Sequence, residues 1–356
     1  MRCVSLFSGC GGLDLGLRES GFDIVFATDN NPLCAESHGV NFPETEFLVA
    51  PIQEVTNKHF DRILASGPVD LLAGGPPCPP YSKSRFYRPD KPRALNDPVG
   101  DATLAGYLTA LERLKPRTFL LENVAGLGYG VHREALDRIL DTAASLGYRC
   151  SHRKLNAADY GVPQIRERYI VLGSRDGDVD FPGTTHTKAT PGALPIAGLP
   201  SWRTAGEVLS DLDTEDMAGD VGHVAGGQHH DLLCEIPPGD NYLFLTAKRG
   251  HPDPKFEWRK RYWSFLLKLS PDMPAWTIQA RRSNNMGPFH WRNRILRIEE
   301  IKRLQTFPDG WYLSGRIEDQ WRQVGNAVPP LLAQHLGTAL TSHLASSRTS
   351  AVGGAA

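Results

Sequence analysis

Through the first half of the chain, short apolar strands alternate with helix-patterned stretches. Residues 3–8 (CVSLFS) read as a buried strand, followed by the glycine turn Gly9–Gly12 and an amphipathic stretch with Leu13, Leu15, Leu17 and Phe22 on its apolar positions. Residues 23–28 (DIVFAT) read as a second strand ending at Asp29, and Val69–Ala73 as a third, running into GGPPCPPYS at 74–82. TFLLENV (118–124) and RYIVLGS (168–174) read as further strands, with helical patterns at 103–114 and 133–146. A helix between two strands lets the second return parallel to the first, with helices covering the faces. The pattern therefore predicts an α/β fold built on a mostly parallel, Rossmann-like sheet.

The rhythm stops near residue 175. Residues 176–273 are rich in Gly, Pro, His and Asp, with short strand-like pieces such as Tyr242–Thr246. Order returns at 297–304, which reads as a helix, and in an apolar C-terminal helix at 328–345. The expected division is a larger unit at 1–175 completed by 321–345, a smaller irregular unit at 176–320, and a disordered tail at 346–356.

A length of 356 residues with 40% hydrophobic side chains is ample for a core. No apolar run approaches the roughly 20 residues of a membrane helix, and the first residues lack the pattern of a secretory signal. Cys3, Cys10, Cys34, Cys78, Cys150 and Cys234 form no CxxC pair. A zinc site or a disulfide framework is not expected, and a reducing cytoplasm fits. The net charge of −1 hides an asymmetry: residues 248–303 hold 14 Lys/Arg against 5 Asp/Glu, leaving a net −10 for the remainder. This basic stretch also carries Trp258, Tyr262, Trp263, Trp276 and Trp291. Both a nucleic-acid face and a solvated surface accommodate that composition.

Five short motifs carry chemistry. Phe7-Ser8-Gly9-Cys10-Gly11-Gly12 lies between a strand and a helix, where glycine lets backbone approach a ligand, and Asp29 ends the next strand, where a carboxylate can hold ribose hydroxyls. The segment departs from the dinucleotide fingerprint G-x-G-x-x-G because position 14 is Asp. In Gly74-Gly75-Pro76-Pro77-Cys78-Pro79-Pro80, four prolines frame one thiol at a strand end, a rigid mount for a nucleophile. Glu122-Asn123-Val124 puts a carboxyl at another strand end, Gln164-Ile165-Arg166-Glu167-Arg168 leads into a strand, and Gly325-Asn326-Ala327-Val328-Pro329-Pro330 precedes the last helix.

In this order, the motifs SLFSGCGGLDLGL (5–17), GGPPCPPYS (74–82), ENV (122–124), DYGVPQIRERYIVLG (159–173), WTIQAR (276–281), LQTFP (304–308) and QVGNAVPP (323–330) resemble the cytosine-5 DNA methyltransferases, closely the bacterial restriction–modification kind. The resemblance covers residues 3–342. It implies S-adenosylmethionine as cofactor, held by Phe7, Gly9, Cys10, Gly11, Asp29, Asn30, Ile52, Pro77, Leu104 and Asn326. It implies Cys78 as nucleophile, with Glu122, Arg166 and Arg168 around a flipped cytosine, and a target-recognition role for the irregular unit. Ser82, Arg259, Lys260, Arg261 and Arg281 are the expected contacts to double-stranded DNA. A monomer without metal or membrane partner is expected, with room for a cognate restriction endonuclease acting separately. Three positions depart from the family pattern. Pro79 follows the cysteine where Gln is usual, Pro51 stands where an acidic residue binds the adenine amino group, and Asp29 replaces the commoner Glu. Two other readings stay open: an RNA cytosine-5 methyltransferase, and an inactive DNA-binding relative.

Overall fold

The computed structural model describes residues 1–77, 79–81, 92–188, 198–213, 225–259 and 262–353. The strands are β1 (Arg2–Leu6), β2 (Asp23–Asp29), β3 (Glu46–Val49), β4 (Leu71–Gly74), β5 (Thr118–Val124), β6 (Arg149–Asn156), β7 (Gln164–Ile165), β8 (Glu167–Ser174) and β9 (Ala275–Trp276). The helices are α1 (Gly12–Glu19), α2 (Pro32–Asn41), α3 (Asn57–Ala65), α4 (Pro98–Leu114), α5 (Arg133–Ser145), α6 (Ala205–Leu209), α7 (Ile298–Leu304), α8 (Ile317–Asn326) and α9 (Pro330–Gly353).

Seven strands form one sheet in the order β3-β2-β1-β4-β5-β8-β6. The first five are mutually parallel. β8 runs antiparallel to both β5 and β6, because the chain turns from β6 through residues 157–163 with no crossover helix. The order runs outward from β1 to β3, then restarts on the other side with β4 and β5. That reversal opens a crevice at the carboxyl ends of β1 and β4, where open α/β sheets bind ligands.

Side chains alternate along the strands into two cores. One face contributes Val4, Leu6, Phe26, Leu72, Phe119 and Leu121, packed on Phe60 of α3 and Leu104, Tyr107 and Leu111 of α4. The other contributes Cys3, Ile24, Ala73, Leu120 and Leu172, packed on α1 and on Leu336, Leu340 and Leu344 of α9. Apolar residues from beyond 175, including Leu233, Leu245, Leu266 and Phe289, join this second core. Polar pins help hold that irregular stretch. Arg294 grips Glu300 with two bonds of 2.9 and 2.6 Å, and Lys268 donates to the carbonyls of Leu233 and Ile236. Both are buried and hydrogen-bonded, the arrangement that offsets desolvation of a charge.

Three expectations need correction. Tyr242–Leu245 is a 3₁₀ turn and not a strand, with the Asn241 side chain accepting from Leu243 N at 3.0 Å. RYIVLGS is a strand, but an antiparallel one. No tail begins at 346, because α9 continues to Gly353 through Ala, Ser and Thr before meeting a glycine; residues 354–356 lie outside the described set. Among the described residues no helix is long and apolar enough to cross a membrane, and no group of His, Cys, Asp and Glu could hold a metal ion.

Candidate active site

Because β1 to β5 are parallel, the residues just past their ends gather at one edge. These are Phe7–Gly11, Asp29–Asn30, the 3₁₀ turn Ile52–Glu54, Gly75–Pro77 and Glu122–Val124. The antiparallel β8 adds Arg168 from the opposite direction. It lies across from Val124, two residues past Glu122 and so on the same face of the sheet. Arg168 Nε stands 2.7 Å from Glu122 Oε1, with side chains 9% and 6% exposed. The Nε–H does not point at that oxygen, so the contact is a close ion pair and not an aligned hydrogen bond. Arg168 also donates from Nη1 to its neighbour, Glu167 O, at 2.8 Å.

The loop leading to Cys78 is fixed from β5. Asn123 donates from Nδ2 to Pro76 O at 3.1 Å, and its Oδ1 accepts from Val124 N at 2.9 Å. Gly75 lies against the carboxylate: a Cβ there would come within 2.8 Å of Glu122 Oε2. Any larger residue would push Glu122 from its place. Asn123 and Gly75 were not among the expected site residues, although the ENV and GGPPC strings contain them. Cys78 and Ser82 lie outside the described residues.

At the β1–β2 end, Asp29 accepts from Gly9 N at 3.0 Å through Oδ2 and from Asn31 N at 2.9 Å through Oδ1. Burial pushes its carboxyl above the usual range, and the Asn31, Gly9 and Asn30 amides pull it back. Each oxygen retains a lone pair for a further donor. Phe7 and Gly9 both take positive φ, 56° each, and a Cβ on Gly9 would meet nothing within 4 Å. At Gly9 the turn thus presents bare backbone to open space. Asn30 is exposed and Phe7 and Pro77 are half-buried. Cys10 is 1% exposed with its thiol in the core, so only its backbone is available to a ligand. Ile52 and Leu104 are buried in the core beneath β1 and β4.

The family model for C-5 cytosine-specific DNA methylases matches residues 1–342. The chain belongs to that family. It is 37% identical over 368 aligned residues to the Type II methyltransferase M.SacI of Streptomyces achromogenes, covering 96% of this chain and 93% of the relative. It is 28% identical to M.XorII of Xanthomonas oryzae pv. oryzae, covering 94% and 83%. Among solved structures, the Entamoeba histolytica methyltransferase EhMeth shares the fold, with a TM-score of 0.61 at 17% identity over 97% of this chain and 98% of that one. The protein is a DNA cytosine-5-methyltransferase, and its curated relatives are enzymes of restriction–modification systems.

In this methyltransferase Arg166, expected with the catalytic set, is turned elsewhere. Its buried guanidinium donates to the carbonyls of Ile278 at 3.1 Å, Gly325 at 2.8 Å and Ala327 at 2.9 Å. It braces the GNAVPP turn against the backbone two residues past β9. That brace seats residues 327–328 against the glycine turn, where a Cβ on Gly12 would come within 2.5 Å of Val328 O. Asn326 ends α8 exposed beside them.

A cleft of about 860 Å³ opens in the irregular part of the methyltransferase, lined by Tyr242, Phe256, Tyr262, Gln279, Arg281 and Asn285 among others. The cations of the basic stretch are mostly engaged. Arg249 pairs with Asp240 at 2.7 Å, Arg259 with Glu257 at 3.0 Å, and Lys255 with Asp253, while Lys248 lies over the Trp258 ring at 4.5 Å. Arg281 is exposed and has no ion-pair partner among the described residues. Lys260 and Arg261 lie outside the described residues. The basic stretch's aromatics Trp258, Tyr262 and Trp263 are 38%, 42% and 41% exposed. The apolar run 264–269 buries itself instead beneath Phe289 and Leu245, leaving these rings on the surface.

Proposed function

We propose that this methyltransferase moves a methyl group from S-adenosylmethionine to C5 of a cytosine flipped out of a specific duplex DNA sequence, through a bond between Cys78 and C6. The observation that carries this reading is the buried Glu122–Arg168 pair at the end of the Cys78 loop. A base still stacked in a duplex cannot reach groups this deep, so it must leave the helix.

Cytosine C5 is too weak a nucleophile to take a methyl group unaided. Attack of the Cys78 thiolate on C6 forms an S–C6 bond and leaves an enamine-like C5. Glu122, carrying a proton to N3, neutralises the negative charge that develops on the ring, and Arg168 faces O2. After methylation a water takes the C5 proton, the C–H electron pair restores the C5–C6 double bond as the S–C6 bond breaks to return the thiolate, and the N3 proton goes back to Glu122. The residues around Asp29 suit the cofactor. The open space beside Gly9 admits a ligand, and the Asp29 oxygens keep lone pairs for ribose hydroxyls. When bound there, S-adenosylmethionine supplies an electrophilic methyl on a sulfonium.

Bisulfite sequencing of DNA from cells expressing the chain tests the whole reading. Methylcytosine at one sequence context is expected. Incorporation of labelled methyl into tRNA and not into duplex DNA would replace it with the RNA reading.

Pro51 yields a second test. It is exposed with φ −58° and ψ 146°, a backbone that aspartate adopts freely. Pro51→Asp would give the adenine amino group a charge-assisted acceptor, worth about 1.5–3 kcal/mol. Tighter S-adenosylmethionine binding by calorimetry is expected. Unchanged affinity would mean that another group already holds the adenine.

The ion pairs also rank the DNA contacts. Arg281→Gln should weaken duplex binding more than Arg259→Gln, because Arg259 must first leave Glu257. If Arg281 meets a phosphate, the salt slope of binding falls by about 0.9 on every duplex. If it reads a base, discrimination at one position falls by about 1–3 kcal/mol. Equal and negligible effects at both arginines would move the DNA face away from this cleft.

A further inference from the structure

Asp14, the residue that breaks the dinucleotide fingerprint, is fully buried, as is His38. Its carboxylate accepts from Ser5 Oγ at 2.5 Å and meets His38 Nε2 at 2.8 Å. Ser8 Oγ in turn donates to Ser5 Oγ at 2.9 Å, so a chain of bonds runs from the glycine turn through β1 to α2. An ionised carboxylate only accepts, so Nε2 carries the proton. His38 Nδ1 has no hydrogen-bond partner among the described residues. Besides the bond to Asp14, the ring is held by stacking, chiefly on Phe42 at 4.4 Å between centroids.

We propose that Asp14 and His38 are a positioning pair that fixes the spacing between the two walls of the cofactor pocket. This rests on the S-adenosylmethionine reading above. Asp14 sits in the first turn of α1, directly behind the wall formed by Phe7–Gly11. His38 sits in α2, whose first turn is capped by Asn31 directly behind the wall formed by Asp29 and Asn30. The walls meet at the top through the bond from Gly9 N to Asp29, beside the bond of 3.0 Å from Ser8 N to Thr28 O. The Asp14–His38 pair is a further tie, underneath, between the helices behind the two walls. Gly11 rests on the same assembly: a Cβ there would lie 2.6 Å from Phe42 and 3.3 Å from His38. With no exposed surface, neither side chain can touch a ligand, so the pair acts through the walls. A carboxylate this deep is tolerable only because the two donors and the amino end of α1 offset its desolvation.

The test measures S-adenosylmethionine affinity of the full chain by calorimetry, duplex DNA affinity without cofactor, and kcat at saturating cofactor. Asp14→Ala and His38→Ala should each weaken cofactor binding about tenfold or more, with DNA affinity and kcat within about twofold. The double variant should be little worse than either single one, since both break one link. Asp14→Asn, which still accepts from Ser5, should recover part of the loss and serves if the alanine variant does not fold. Cofactor affinity unchanged in the variants, or falling in step with DNA affinity, would overturn the pair alone. A wild-type chain that binds no S-adenosylmethionine would overturn the cofactor reading and the pair with it.

Discussion

Replacing Cys78 with serine is expected to lower methyl transfer at least about a thousandfold, because a hydroxyl is almost never ionised at neutral pH while a thiol is a few per cent thiolate. A duplex carrying 5-fluorocytosine at the target should trap the wild-type enzyme covalently, since fluorine cannot leave C5 as a proton does. The five other cysteines are poor competitors for that adduct. Cys3, Cys10 and Cys34 are buried, and burial pushes each thiol up, Cys34 to about 12. Burial also raises Cys150 to about 11. Cys234 is exposed in the irregular part of the chain, donating from Sγ to Asp231 O at 2.8 Å. A tryptic adduct on any of these five, or a Cys78→Ser enzyme that keeps its turnover, would remove the nucleophile assignment.

The parallel part of the sheet was legible because β1, β2, β4 and β5 are continuous apolar runs closed by Gly, Asp or Asn, the signature of strands buried on both faces. β6 was not. Its sequence RCSHRKLN is mostly polar, since it is the last strand of the sheet and shows much of its length to solvent. Short elements such as β3 and α2 were also missed, because four half-exposed residues or a helix containing Gly39 carry little periodicity. The direction of β8 depends on the length of a turn, which strand composition does not encode. In the site, the motifs name Glu122, Arg166 and Arg168 alike, whereas the separate contacts of Arg166 were not legible. Residues two apart point the same way along a regular strand, but Arg166 falls in the break between β7 and β8, so Arg168 faces Glu122 while Arg166 faces the carbonyls at 278, 325 and 327. The sequence names both and cannot say which way each points. The exposure of the aromatics at 258, 262 and 263 was hidden in the sequence for a related reason. Only the three-dimensional path of 264–269 shows which surface needed covering.

Glu122→Gln is expected to lower kcat by about a hundredfold to a thousandfold, the range seen when one preorganised group facing developing charge is lost, while duplex affinity changes only a few-fold. Glutamine keeps the shape against Gly75 and leaves a polar oxygen facing Arg168, but it has no proton to lend N3. A loss in kcat with binding intact marks an interaction made mainly in the transition state. Arg168→Ala should cost similar turnover, with a second consequence. Removing one partner of a buried ion pair leaves the other charge without compensation, at about 3–5 kcal/mol. The alanine variant should therefore also unfold at lower denaturant, and so should the glutamine variant, which leaves the Arg168 charge unpaired, though by less because a polar oxygen still faces the guanidinium. Pre-steady-state methylation and filter binding on the same duplex, with urea melts of each variant, separate these outcomes. If both variants lose DNA affinity and keep their turnover, the pair only supports the strand ends. The flipped base would then have to be sought against another part of the crevice between β1 and β5.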